Sequence, residues 1–187
     1  VVYSSGSTDN TQLGYISGTT STEYEQRYGL THEVDVIFPK FVRPIDTFTR
    51  NFTRVSLFGL HSASSDTEGT TVYDPSIYVY AERDAEYSKN IKFVLSSSLL
   101  SSEISSSTYL SVYDDEKWNL SARLRPLRIG LTGSVAGAQS GGYQIEFSGY
   151  NQRLGQIRNN FTVSASSNET NSKNLLSSPK RIFLGAH

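Results

Sequence analysis

Two carboxylates on one stretch are the first residues in this chain that could do chemistry. Glu33-Val34-Asp35-Val36 places Glu33 and Asp35 two apart, and on a strand residues two apart share a face. Glycoside hydrolysis uses such a pair, set roughly 5–5.5 Å apart for retention or about 6.5–9.5 Å apart for inversion. A second cluster is the acidic run Asp114, Asp115 and Glu116. It could offer oxygens to calcium, a hard ion that needs several of them, or simply form a solvated turn. A third group is Tyr73, Asp74, Tyr78 and Tyr80. Tyrosine rings stack on sugars and an aspartate can hold a hydroxyl, so these four are the candidate carbohydrate-binding residues. The plainer alternative is a tyrosine-covered, half-exposed sheet.

Other constellations are weaker. His32, His61 and His187 are dispersed and lack metal-ligand spacing. No Gly-x-Ser-x-Gly elbow supports a serine nucleophile. The glycines between 133 and 142 have no lysine and make no phosphate loop. Cysteine is absent, which removes disulfides and thiolate metal sites. The net charge of −1 and pI near 6.3 give no basic field for nucleic acid. No run approaches the roughly 18 apolar residues of a membrane span, so no membrane insertion is expected. Four Asn-x-Ser/Thr sequons occur, at Asn51, Asn119, Asn160 and Asn168. A chain this rich in Ser and Thr yields about 2.5 by chance. Asn119 and Asn160 fall in predicted strands, where a glycan fits poorly.

The elements that must position these groups are short strands. At 187 residues the chain fits one all-β domain. Val1–Thr22 is rich in Ser, Thr and Gly, and Glu23–Tyr28 could form one helical turn. Residues 1–28 therefore form an N-terminal arm or linker, and 29–187 the folded domain. Trp118, the only tryptophan, opens an apolar row with Leu120, Ala122 and Leu124. Asn119, Ser121, Arg123 and Arg125 alternate with it, as in a half-buried strand. Trp118 is the expected core anchor. Alternation also predicts strands over Leu30–Phe38, Thr53–His61, Ile77–Arg83, Ile91–Ser96, Tyr143–Tyr150, Phe161–Ser167 and Arg181–Leu184. Leu127–Thr132 is a further expected strand. Thr108–Tyr113 is expected to form a hairpin with the Trp118 strand across Asp114–Glu116. Leu99–Ile104 reads as loop or short helix, Asn151–Arg158 as a polar connection and Asn168–Ser178 as a long polar loop. Some ten short strands between turn signals define an all-β, antiparallel two-sheet sandwich or jelly roll.

The series HEVDVIFP, VSLFGLH, YDDEKWNLSARLRP, YQIEFSGYN, FTVSAS and KRIFLGAH resembles the concanavalin A-like lectin/glucanase superfamily in its laminin-G-like (LamG) jelly-roll form. Trp118 would open a central strand, and Gly185-Ala186 would end a late one. The resemblance covers roughly 30–187. It implies a lectin-like module that binds a glycan or a surface protein, within a larger extracellular or virion-surface structural or adhesive protein built from further chains. Glucanases of this superfamily carry Glu-x-Asp-x-(x)-Glu on one strand. Here the closing position is Ile37 or Phe38, so the set is incomplete and a noncatalytic module is expected. Glycan processing and a ligand-free scaffold remain the alternatives. The final KRIFLGAH stretch lacks the further loop and strand usual in LamG-like domains. With the missing start methionine, it reads as a segment of a longer polypeptide.

Overall fold

The computed structural model describes residues 15–16, 26–27, 29–38, 40, 54–62, 76–85, 88–109, 112–126, 142–178 and 180–185. Tyr73, Asp74, the sequon at Asn51, the expected strand at 127–132 and His187 lie outside the described residues.

Two antiparallel sheets make a β-sandwich. The first runs β10-β9-β8-β3: Gln156–Ser167, Tyr143–Arg153, Lys117–Pro126 and Leu30–Ile37. The second runs β11-β4-β5-β6-β7: Lys180–Leu184, Arg54–Ser62, Ser76–Arg83, Ile91–Ser97 and Ile104–Ser105. A short ribbon pairs β1 (Tyr15–Ile16) with β2 (Gln26–Arg27), so Gln26 and Arg27 are extended rather than helical. Each large sheet is a meander flanked by a strand from elsewhere in the chain: β3 beside β8, and β11 beside β4.

Period-two patterning places the core. Trp118, Leu120, Ala122 and Leu124 of β8 are buried, with Tyr143, Ile145 and Phe147 of β9 beside them. Phe58 and Leu60 of β4, Ile77, Val79 and Ala81 of β5, and Ile91, Phe93 and Leu95 of β6 face them from the second sheet. The Trp118 ring lies 4.8 Å from Phe93 and 4.9 Å from Tyr109, which joins the layers at the centre.

Three further expectations are overturned. Thr108–Tyr113 makes no hairpin with the Trp118 strand. Tyr109 bridges Ile91 in the second sheet, and β8 takes β3 and β9 as neighbours. The apolar row of β8 finds larger apolar rows there than the serine-rich 101–111 stretch offers. Of the two readings for Leu99–Ile104, the loop holds: a turn at 98–100 leads to β7. Asn168–Ser178 is not a loop but holds α1 (Glu169–Ser177). Asn168 caps it, its side-chain oxygen accepting from the Asn171 N–H at 2.9 Å. Leu175 and Leu176 of this helix are buried in the core.

The third is Asn151–Arg158, which is mostly strand. β9 and β10 continue to a two-residue turn, Leu154-Gly155, between paired Arg153 and Gln156. Both turn residues have positive φ, 51° and 78°, the mark of a type I′ hairpin. Leucine is a poor choice for the left-handed region, and Leu154 is 96% exposed, so packing does not compensate. Leu154→Asn is therefore expected to raise stability by about 1 kcal/mol. A urea midpoint that stays put or falls would count against this account.

Candidate functional site

The outward face of the five-stranded sheet gathers the aromatic candidates. Tyr78 and Tyr80 alternate with the core residues of β5, so both rings stand on the outer face, half-buried. Their centroids are 6.4 Å apart, and Phe183 of β11 lies 5.5 Å from Tyr78. Gly59 of β4 stands in register between Tyr78 and Phe183. A Cβ there would come within 2.6 Å of Phe183 Cζ and of the Ile77 carbonyl. The missing side chain lets Phe183 cross β4 towards Tyr78.

A charged group closes the other end of this strip. The Arg54 guanidinium sits 5.2 Å over the Tyr80 ring. It donates to Glu82, through Nε at 2.9 Å, and to Glu103 at 2.9 and 3.0 Å. Lys92 Nζ reaches Glu82 at 2.8 Å. Hydrogen bonds from Lys92 and Arg54 hold the Glu82 carboxyl below its usual range, and Arg54 does the same for Glu103. Burial pushes the Tyr80 phenol up, so it stays a neutral hydroxyl. Arg54, Glu103 and Phe183 were not legible as site residues. A β-bulge between Ser56 and Phe58 shifts the alternation of β4, and only the pairing shows that Arg54 stands opposite Glu82. The result is a shallow aromatic strip with a fixed ionic rim, suited to stacking on a flat ligand and hydrogen-bonding its edges.

The carboxylate pair lies on the other sheet. Glu33 and Asp35 are exposed on β3 and share one donor: Asn119 Nδ2 gives 2.7 Å to Glu33 Oε1 and 3.1 Å to Asp35 Oδ1. Lys117 Nζ is 3.0 Å from Asp35 Oδ2. The Asn119 and Lys117 bonds hold the Asp35 carboxyl below its usual range. That favours a permanent carboxylate, the opposite of the raised pKa a general acid needs. Ile37 is exposed on the same face, and Phe38 turns into the core.

In the acidic turn, Asp115 takes a positive φ of 63° and its Oδ1 accepts from the Lys40 N–H. Glu116 accepts from Arg158 Nη1 at 2.7 Å and from Asn151 Nδ2 at 3.0 Å, with Arg153 Nε at 3.6 Å. Asp114 Oδ1 accepts from the Glu116 N–H. The Glu116 carboxylate thereby pins the entry of β8 to the β9–β10 hairpin. Among the described residues no group of three or more His, Cys, Asp or Glu is set to hold a metal ion.

His32 and His61 are both buried. His32 meets the Phe58 ring edge-on at 4.9 Å, and its Nδ1 has no hydrogen-bond partner. Burial pushes its pKa below 6.5. The fold thus favours neutral imidazole, while the unfolded chain takes up the proton. Stability should be full above pH of about 6.5 and fall as the pH drops through and below that value. Melting temperatures of wild type and His32→Leu between mildly basic and mildly acidic pH check this. Equal slopes would remove His32 as the cause.

No protein-family model matches the chain, and searches of curated proteins and of solved structures found no match either. The class defined by the fold is an all-β sandwich of two antiparallel sheets, with one short helix among the described residues. No helix among the described residues is long and apolar enough to cross a membrane.

Proposed function

We propose that this chain is a noncatalytic, lectin-like binding module of a larger structural or adhesive protein, displayed outside the cell or on a virion, with a glycan as its ligand. The observation that carries this is the outward strip of Tyr78, Tyr80 and Phe183, closed by Arg54 with Glu82 and Glu103. Aromatic faces beside fixed hydrogen-bonding groups are the chemistry that recognises sugar rings. A jelly-roll topology of the concanavalin A-like, laminin-G-like kind is part of this proposal. Its support is the wrapping that lays β3 against β8 and β11 against β4. The noncatalytic reading is supported by the Glu33–Asp35 pair, which is tied to one amide and is followed by Ile37 and Phe38 where the glucanase pattern has its second glutamate.

A glycan array with wild type and Tyr80→Ala tests the proposal. Tyr80 is half-exposed, so the variant should fold. Binding by wild type and at least a tenfold loss in the variant are expected, equivalent to about 1.4 kcal/mol. A protein surface partner would instead leave the array silent and appear in pull-downs that Tyr80→Ala abolishes. Release of reducing ends from β-glucans, lost in Glu33→Gln, would replace the module by a glycan-processing enzyme.

A further inference from the structure

Among the described residues β10 ends the four-stranded sheet, and the sequence of its second half carries none of the usual edge protection. Edge strands are normally blunted by charge, proline or a bulge, because their free N–H and C=O groups template pairing with another chain. Residues 159–167 read Asn-Asn-Phe-Thr-Val-Ser-Ala-Ser-Ser, with no charge and no proline. The irregularity in its pairing falls earlier, between Ile157 and Asn159. The Asn160 carbonyl accepts from Tyr109 Oη, and the Asn168 N–H donates to the Leu99 carbonyl, both away from β9. By strand alternation the backbone groups of Thr162, Ser164 and Ser166 point the same way.

Two of the four sequons bracket this edge. Asn160 and Thr162 are exposed on the outward face of β10, and Asn168 and Thr170 are exposed at the start of α1. An edge strand whose outer face meets solvent has room for a sugar, contrary to the expectation for strands in general. Asn168 can be modified without losing its structural task. The cap uses Oδ1, whereas a glycan takes Nδ2. Asn119 differs, since its Nδ2 donates to both Glu33 and Asp35 and substitution would break that pairing.

We infer that Asn160 and Asn168 are N-glycan acceptor sites, and that their glycans shield the uncharged edge of β10. This rests on the extracellular placement in the proposed function. The donor is a lipid-diphosphate-linked oligosaccharide. Nδ2 forms a bond to the anomeric carbon, the bond from that carbon to the diphosphate oxygen breaks, and the amide proton passes to the transferase's base.

The test is the full chain secreted from a eukaryotic host behind an added signal peptide, deglycosylated by an amidase in heavy-oxygen water and peptide-mapped. Heavy aspartate at 160 and 168, with unlabelled Asn119, is expected. Unmodified Asn160 and Asn168, or a label at Asn119 in their place, overturns the assignment. Sedimentation of the doubly substituted Asn160→Gln, Asn168→Gln protein then reads the shielding. Thr162→Val with Thr170→Val is the second variant, which removes the sequons but keeps the asparagine cap. Self-association of both while the glycosylated chain stays monomeric is expected. Monomers throughout with unchanged circular dichroism overturn the shielding. A silent glycan array would sink the binding proposal and leave these two readouts unaffected.

Discussion

Trp118→Ala is expected to lower the unfolding free energy by about 3–5 kcal/mol. The side chain is 1% exposed and packs on Phe93 of the opposing sheet and on Tyr109. Its loss would open a cavity between layers joined at that point, and a domain stabilised by roughly 5–15 kcal/mol has little reserve. The indole Nε1 has no hydrogen-bond partner. Trp118→Phe removes that buried donor while keeping a ring, so it should cost well under half as much. Urea unfolding followed by circular dichroism checks both. An alanine variant of unchanged midpoint that has lost glycan binding would make Trp118 a binding platform instead of an anchor.

The core was legible because strands write burial in period two. Trp118, Leu120, Ala122 and Leu124 alternate without a break, and Ile77, Val79 and Ala81 do the same. Partnership was less legible. A strand carries no label for its neighbour, and the acidic turn at 114–116 suggested a local hairpin where the chain passes between sheets. The hairpin that does form hides its turn, because Leu154 occupies a position where Asn or Gly is the usual signal. Half of the aromatic strip could be placed from Tyr78 and Tyr80, which share a strand face. Phe183 and Arg54 joined it only through pairing over long separations and a bulge in β4.

The helix is where sequence composition misled most, and it yields the second large effect. Asn168–Ser178 is polar enough to read as loop, with only Leu175 and Leu176 apolar in its C-terminal half. Asn168 supplies the cap, Glu169 stands in the first turn where a negative charge suits the helix dipole, and Lys173 lies 3.0 Å from Glu169 one turn on. These contacts contribute tenths of a kcal/mol each, too little to hold nine isolated residues in helical form. The two leucines must therefore fix it: Leu175 is 0% and Leu176 is 1% exposed, both in the same core as Trp118. Lys180 then closes the C-terminal end, its Nζ donating to the Leu176 and Ser178 carbonyls. Leu175→Ala should cost about 2–5 kcal/mol. Native-state hydrogen exchange should show α1 amides losing protection together with the β-sheet core, since the helix closes one part of it. Loss of protection confined to 169–177, with an unchanged global midpoint, would show instead that the helix docks on a sandwich complete without it.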